Sequence, residues 1–215
     1  RTFLHEFGHA LHGMLAEARY SSLSGTNVVR DFVELPSQLM ENWLDEREWL
    51  QSFAQHYQTG EALPVELIER MERARHFLVG YAACRQLSFG YLDMAWHTIT
   101  EPLSEGLDTK AFEEKAWAKA VLLPASPAPC QMSTAFGHIF SGGYSAGYYG
   151  YKWAEVLDAD AFAAFQEEGI FSRETAQRFR DCVLSQGDRE DAEVLYERFR
   201  GQAPSIQALL RRDGL

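Results

Sequence analysis

His5, Glu6 and His9 are spaced as H-E-x-x-H in the run His5-Glu6-Phe7-Gly8-His9. On a helix, residues i and i+4 share one face, so the two imidazoles can offer nitrogens to one cation. Glu6 sits one position round, where its carboxylate can hold a water on that cation. Zinc would lower the pKa of such a water towards neutrality, and Glu6 would take its proton as it attacks a carbonyl. The pentapeptide fixes only three residues. By itself it fits an ordinary helix with two surface histidines and an acid equally well.

A catalytic zinc needs a third protein ligand and a fourth position left for water. His12 follows His5 by seven residues on the same face. At a rise of about 1.5 Å per residue it stands roughly 10 Å further along the axis, too far to share one ion. The metzincin pattern also fails, because it needs Gly where His12 stands and His where Leu15 stands. Glu34 is the better candidate, in Asp31-Phe32-Val33-Glu34-Leu35-Pro36-Ser37-Gln38. The turn-rich stretch from Tyr20 to Val28 can reverse the chain and bring a second helix back past the first. Two neutral histidines and one carboxylate leave a net positive, water-activating centre. Asp31 and Glu41 lie about one and two turns from Glu34; they either orient a ligand histidine or are solvated acids on an exposed face.

These segments resemble the zinc oligopeptidases, the family of thimet oligopeptidase, neurolysin, oligopeptidase A and dipeptidyl carboxypeptidase. The resemblance rests on His5 to His12, Ser24-Gly25-Thr26-Asn27, Asp31 to Gln38 and Glu41-Asn42-Trp43. It continues through Phe136-Gly137-His138, Gly142-Gly143-Tyr144, Gly147-Tyr148-Tyr149-Gly150-Tyr151 and Arg198-Phe199-Arg200-Gly201. It implies one zinc per chain held by His5, His9 and Glu34, with Glu6 as base. Family chains are much longer, with upstream helices forming the opposite wall of a substrate channel. Residues 1–215 are therefore expected to be the C-terminal catalytic portion, roughly the last third, of a larger metallopeptidase that works as a monomer.

The run from Phe136 to Tyr151 combines glycines, tyrosines and one histidine. Glycines let backbone approach a ligand, which makes Gly142 and Gly143 candidates for substrate contact, and tyrosines carry hydroxyl donors on rigid arms. Such donors can stabilise the negative oxygen that forms during peptide hydrolysis. The resemblance places His138 and Tyr151 near that oxygen, with Tyr144 and Tyr148 on substrate or oxyanion. Tyr149 and Trp153 are expected to fill core. His56, His76 and His97 match no motif.

The elements that must position these groups read almost wholly as helix. The fold class is mainly α, a zincin-like multi-helix catalytic domain with a short β-hairpin or strand pair near the zinc site, around Tyr20 and Val28. Helices are expected over 1–17, 31–57, 65–99 (bent or interrupted at Gly80 and Gly90), 109–121 and 145–165. Three short ones are expected after the cap at Ser172, after Asp188 and after Pro204. Leu123-Pro124-Ala125-Ser126-Pro127-Ala128-Pro129 reads as loop. One packed domain is expected.

Composition narrows the function. The 215 residues suffice for a sizeable core, and 46% are hydrophobic, which fits an ordered globular chain. The net charge of −11 disfavours nucleic acid as a partner, and no apolar run approaches a membrane span. Three widely spaced cysteines, Cys84, Cys130 and Cys182, suggest neither a disulfide framework nor a thiolate metal site and fit a cytoplasmic protein. The function expected is zinc-dependent hydrolysis of short peptides. The alternatives are release of C-terminal dipeptides and an inactive helical interaction module.

Overall fold

The computed structural model describes residues 1–123 and 131–215; the Pro-rich loop from Pro124 on, and Cys130, lie outside the described residues. The helices are α1 (Thr2–Met14), α2 (Leu35–Glu41), α3 (Arg47–Phe53), α4 (Val65–Ala74), α5 (Val79–His97) and α6 (Thr109–Trp117). They continue with α7 (Gly137–Phe140), α8 (Gly150–Glu168), α9 (Arg173–Phe179), α10 (Ala192–Arg200) and α11 (Gln207–Asp213). The mainly helical expectation holds. The strand pair does not: among the described residues the only sheet-like pairing is an isolated antiparallel bridge between Gln55 and Ala62. The Tyr20–Val28 stretch instead forms a 3-10 turn at Ser21–Leu23, closed by the Asn27 amide donating to the carbonyls of Ser21 (2.9 Å) and Ser24 (3.1 Å). Side-chain bonding of this kind satisfies backbone acceptors that a strand partner would otherwise take.

The chain divides into two compact units where the sequence reads as one domain: residues 1–77 with 153–215, and residues 78–152. In the first, the expected helix over 31–57 is broken into α2, a 3-10 turn at Asn42–Asp45, and α3. Glu34 therefore precedes α2 as its N-cap residue rather than lying inside a helix. Pro36 explains the start. It has no N–H to return to the Phe32 carbonyl, which accepts from Leu35 N instead at 3.0 Å. Asn42 explains the end. Its side-chain amide donates to the carbonyls of Gln38 and Leu39, each at 3.2 Å, and to the buried Asp158 carboxylate at 2.7 Å. Phe32, Leu35 and Leu39 join Leu157, Phe162, Phe165, Phe179, Tyr196 and Phe199 in the core, with Trp43 packed edge-on to Phe162 and Phe165. The expected cap at Ser172 is present, accepting from Thr175 N at 3.2 Å.

In the second unit α5 is joined to α6 by the contact of Trp96 with Phe112 (ring centroids 4.1 Å), above a core of Phe89, Leu92, Phe136 and Ile139. Gly80 and Gly90 lie inside α5 without interrupting it; the break in the 65–99 stretch is at Leu78, which is left-handed at φ 56°. The expected helix from Ser145 begins only at Gly150. Tyr149 and Trp153, expected in the core, are exposed. A 3.6-residue spacing of aromatics gives the period of a helix but not which face is covered.

The contact that matters most for chemistry is α1 on α2. At Gly8, a Cβ would lie 2.5 Å from Ser37 Cα and 2.6 Å from the Pro36 carbonyl oxygen. Only glycine allows the two backbones this close. Gly8→Ala is expected to force the helices apart and lower stability by about 1–3 kcal/mol. Thermal melting of the variant checks this; an unchanged Tm would show the contact to be compliant.

Candidate metal centre

α1 carries His5 and His9 on the face that meets α2, and the turn leading into α2 delivers Glu34. One ligand atom from each of the three lies within 4.8 Å of the others. Glu34 Oε2 is 3.3 Å from His5 Nε2 and 3.2 Å from His9 Nε2, and the two rings stand edge to face at 4.9 Å. The Glu34 side chain is almost wholly buried and is held by Ser37 Oγ, which donates to Oε2 at 3.0 Å and to the Glu34 carbonyl at 3.0 Å. The residues that sequence reasoning put together are thus together.

Glu41, half-buried, meets His5 from the other side: its Oε1 is 2.8 Å from His5 Nδ1. A carboxylate only accepts, so Nδ1 carries the proton and Nε2 points a lone pair at Glu34. Lone pair and carboxylate 3.3 Å apart repel unless a cation or a proton lies between them. Without metal the proton takes that place: the hydrogen bond to Glu34, then that to Glu41, pushes His5 up to about 10. Two imidazole nitrogens and one carboxylate oxygen form a donor set suited to zinc. Arg1 in turn holds Glu41 at 3.1 Å and Asp45 at 3.3 Å. Against the cost of burial, the bonds from His5 and Arg1 keep the Glu41 carboxyl below the usual range. Asp31 is half-buried in the turn before Glu34. Glu6 is solvent-exposed on α1, one residue on from His5.

The remaining candidates belong to the second unit and form a cluster of their own. His138 is 6.2, 6.0 and 6.4 Å from the rings of Tyr144, Tyr148 and Tyr151; Tyr144 stacks on Tyr151 at 4.9 Å, and Tyr148 lies 5.1 Å from it. Tyr148 also packs on Phe136 and Phe89, and burial pushes its hydroxyl pKa up while Gln86 hydrogen-bonds it. Gly142 and Gly143 wrap the end of α7. A Cβ at Gly142 would stand 2.8 Å from His138 Cα, and Gly143 has φ 82°. Ser37, which orients Glu34, stands inside the Glu34 motif but was given no role from the sequence, and Arg1, which holds Glu41, belongs to no motif.

His12 is fully buried, and neither ring nitrogen has a hydrogen-bond partner among the described residues. It is not part of the donor group. His97 is satisfied, its Nδ1 lying 2.8 Å from the Asp93 carbonyl. Cys84 and Cys182 are free and half-buried. No helix among the described residues is long and apolar enough to cross a membrane.

The family model of peptidase family M3 matches residues 1–215. The chain is 46% identical over 216 residues to a dipeptidyl carboxypeptidase of Escherichia coli, covering 100% of this chain and 31% of that protein. It is likewise 46% identical over 216 residues to oligopeptidase A of Escherichia coli, again 100% and 31%. Saccharolysin of Saccharomyces cerevisiae is 34% identical over 215 residues, 100% of this chain and 30% of that one. The chain thus spans about a third of the length of these curated relatives.

Burial, then the neighbouring His9, pushes His12 down from 6.5 to about 4. The unfolded chain therefore binds more protons than the folded chain between those values. Stability from a neutral His12 is fully present above pH 6.5 and is lost as pH falls towards about 4, by up to about 3 kcal/mol. Denaturant melts of the metal-free protein at pH 4.5 and 7 are expected to differ less in His12→Leu than in the wild type. An equal difference in both would place the acid sensitivity elsewhere.

Proposed function

The chain belongs to peptidase family M3, and on that premise we propose that it carries the catalytic centre of a zinc-dependent metallopeptidase acting on short peptides. The observation that carries the reading is the buried Glu34 carboxylate facing two histidine nitrogens at 3.3 and 3.2 Å. His5, His9 and Glu34 would hold the ion, and Glu41 would fix the orientation of the His5 ring. Bound there, zinc would acidify a water and polarise the scissile carbonyl.

The chain's own residues do the rest. Glu6, exposed beside His5, accepts the water's proton as the carbonyl is attacked and passes it to the leaving amine. The Tyr151 hydroxyl donates to the oxygen on which negative charge develops, with His138 as a second donor. Tyr144, Tyr148 and the backbone at Gly142 and Gly143 contact the substrate. The working enzyme is proposed to be one longer chain, monomeric and cytoplasmic. A second reading, release of C-terminal dipeptides, is favoured by the 46% identity to a dipeptidyl carboxypeptidase. Cleavage of one peptide with its C-terminus free or amidated separates the two.

In the full-length enzyme, Glu34→Ala is expected to lose zinc, whereas Glu6→Gln keeps it and loses about three orders of magnitude in kcat. The amide retains the shape of the carboxylate but cannot take the proton. Metal analysis beside steady-state kinetics checks both; zinc retained in the first variant, or near-normal kcat in the second, removes the respective role. Tyr151→Phe is expected to lower kcat about 10²–10³-fold with little change in KM. A raised KM at constant kcat would make Tyr151 a ground-state contact instead.

A further inference from the structure

Asp93 is the one acid in the run Leu92-Asp93-Met94-Ala95-Trp96 of α5, and it is completely buried. Both of its oxygens are spent on the loop that leads into α8. Oδ1 accepts from Ala146 N at 2.9 Å, and Oδ2 accepts from Tyr148 N at 2.9 Å. Oδ1 also lies 2.8 Å from His97 Nδ1, one turn further along α5. Ala146 is left-handed at φ 53°, a conformation an L-residue rarely adopts unless its surroundings impose it. The Tyr148 peptide is then held on both sides: its N–H by Asp93, and its carbonyl by Tyr151 N at 3.3 Å, where α8 begins.

We propose that Asp93 is a positioning residue for catalysis: its carboxylate locks the Ala146–Tyr148 turn and thereby aims the Tyr151 hydroxyl. Resting on the metallopeptidase reading above, it adds a residue that touches neither metal nor substrate. The geometry calls for a carboxylate in particular. Two backbone donors converge on one side chain with the His97 ring beside it, and only a carboxylate offers an acceptor oxygen to each of the two donors. An amide would turn its NH₂ towards one of the two backbone N–H groups, leaving two donors facing each other in a buried place. The turn would relax, and Tyr151, stacked on Tyr144 and beside Tyr148, would move with it.

The test is a cycle in the full-length enzyme with Asp93→Asn, Tyr151→Phe and the double variant, read as zinc content, kcat and KM on a fluorogenic short peptide. Asp93→Asn is expected to keep its zinc and lose about 10–100-fold in kcat, with KM changed less than about 3-fold. In the Tyr151→Phe background the same substitution is expected to cost less than about 3-fold, because the donor it positions is already gone. Asp93→Glu, which keeps the acceptors but displaces them, is expected to fall between, and it carries the same cycle if Asp93→Asn does not fold. Equal losses in both backgrounds, or an unchanged kcat in the single variant, would overturn the positioning role while leaving the metallopeptidase reading intact. Full activity of Tyr151→Phe would overturn the oxyanion assignment and the inference with it.

Discussion

The approach of α1 to α2 at Gly8, where a methyl group would sit 2.5 Å from Ser37 Cα, sets how far His5 and His9 stand from Glu34. The three ligand atoms come from two elements separated by a turn, and no covalent link fixes their distance. Backbone contact does that instead. α2 is short, seven residues, and too brief to be stable alone in water. Its position comes from Leu35 and Leu39 in the core and from the glycine opposite Pro36 and Ser37. Ser37 then serves twice: its backbone receives α1, and its hydroxyl orients the Glu34 carboxylate. Packing and chemistry share the same residue here.

Buried carboxylates recur through the chain, and each is compensated differently. Glu34 faces two imidazoles; Asp93 faces two backbone N–H groups and a histidine; Asp158 faces the Asn42 amide and the Arg212 guanidinium. Burying a charge without such partners would cost several kcal/mol. Asp158 shows the strain of incomplete compensation, since burial raises its carboxyl to about 6 despite the arginine. Its network fixes the end of α2 to α8 and α11, so it supports the same short helix that delivers Glu34. The polar interior of the first unit thus holds α2 from its C-terminal end while Gly8 holds its N-terminal end.

How much of this could be read from the sequence follows from what each signal contains. The H-E-x-x-H spacing states a helical face directly, and His5 and His9 stand together as that spacing requires. Glu34 was legible as a ligand candidate by residue type and by the turn before it; the break that ends α2 was not, because the amide of Asn42 and its buried partner Asp158 are 116 residues apart. The break at Leu78 carries no local mark: the residue is neither glycine nor proline, while Gly80 and Gly90 sit undisturbed in α5. The expected strands failed because Asn27 closes its own turn. Asp93 did leave a signal, an acid on an apolar helix face, yet its meaning depends on a loop more than fifty residues downstream.

Glu41 shows how a carboxylate outside the donor group bears on the His5 ring. Accepting from Nδ1 makes the His5 imidazole more electron-rich at Nε2, which strengthens it as a ligand. The bond to Glu34, then that from Nδ1 to Glu41, raises His5 to about 10, so without a metal a proton would take the place between His5 and Glu34. An ion taken up there would have to displace that proton, in a competition that grows as pH falls. Arg1 donates to the other oxygen of Glu41 at 3.1 Å. Arg1, Glu41 and His5 thus form one hydrogen-bonded chain that ends at the ring facing Glu34.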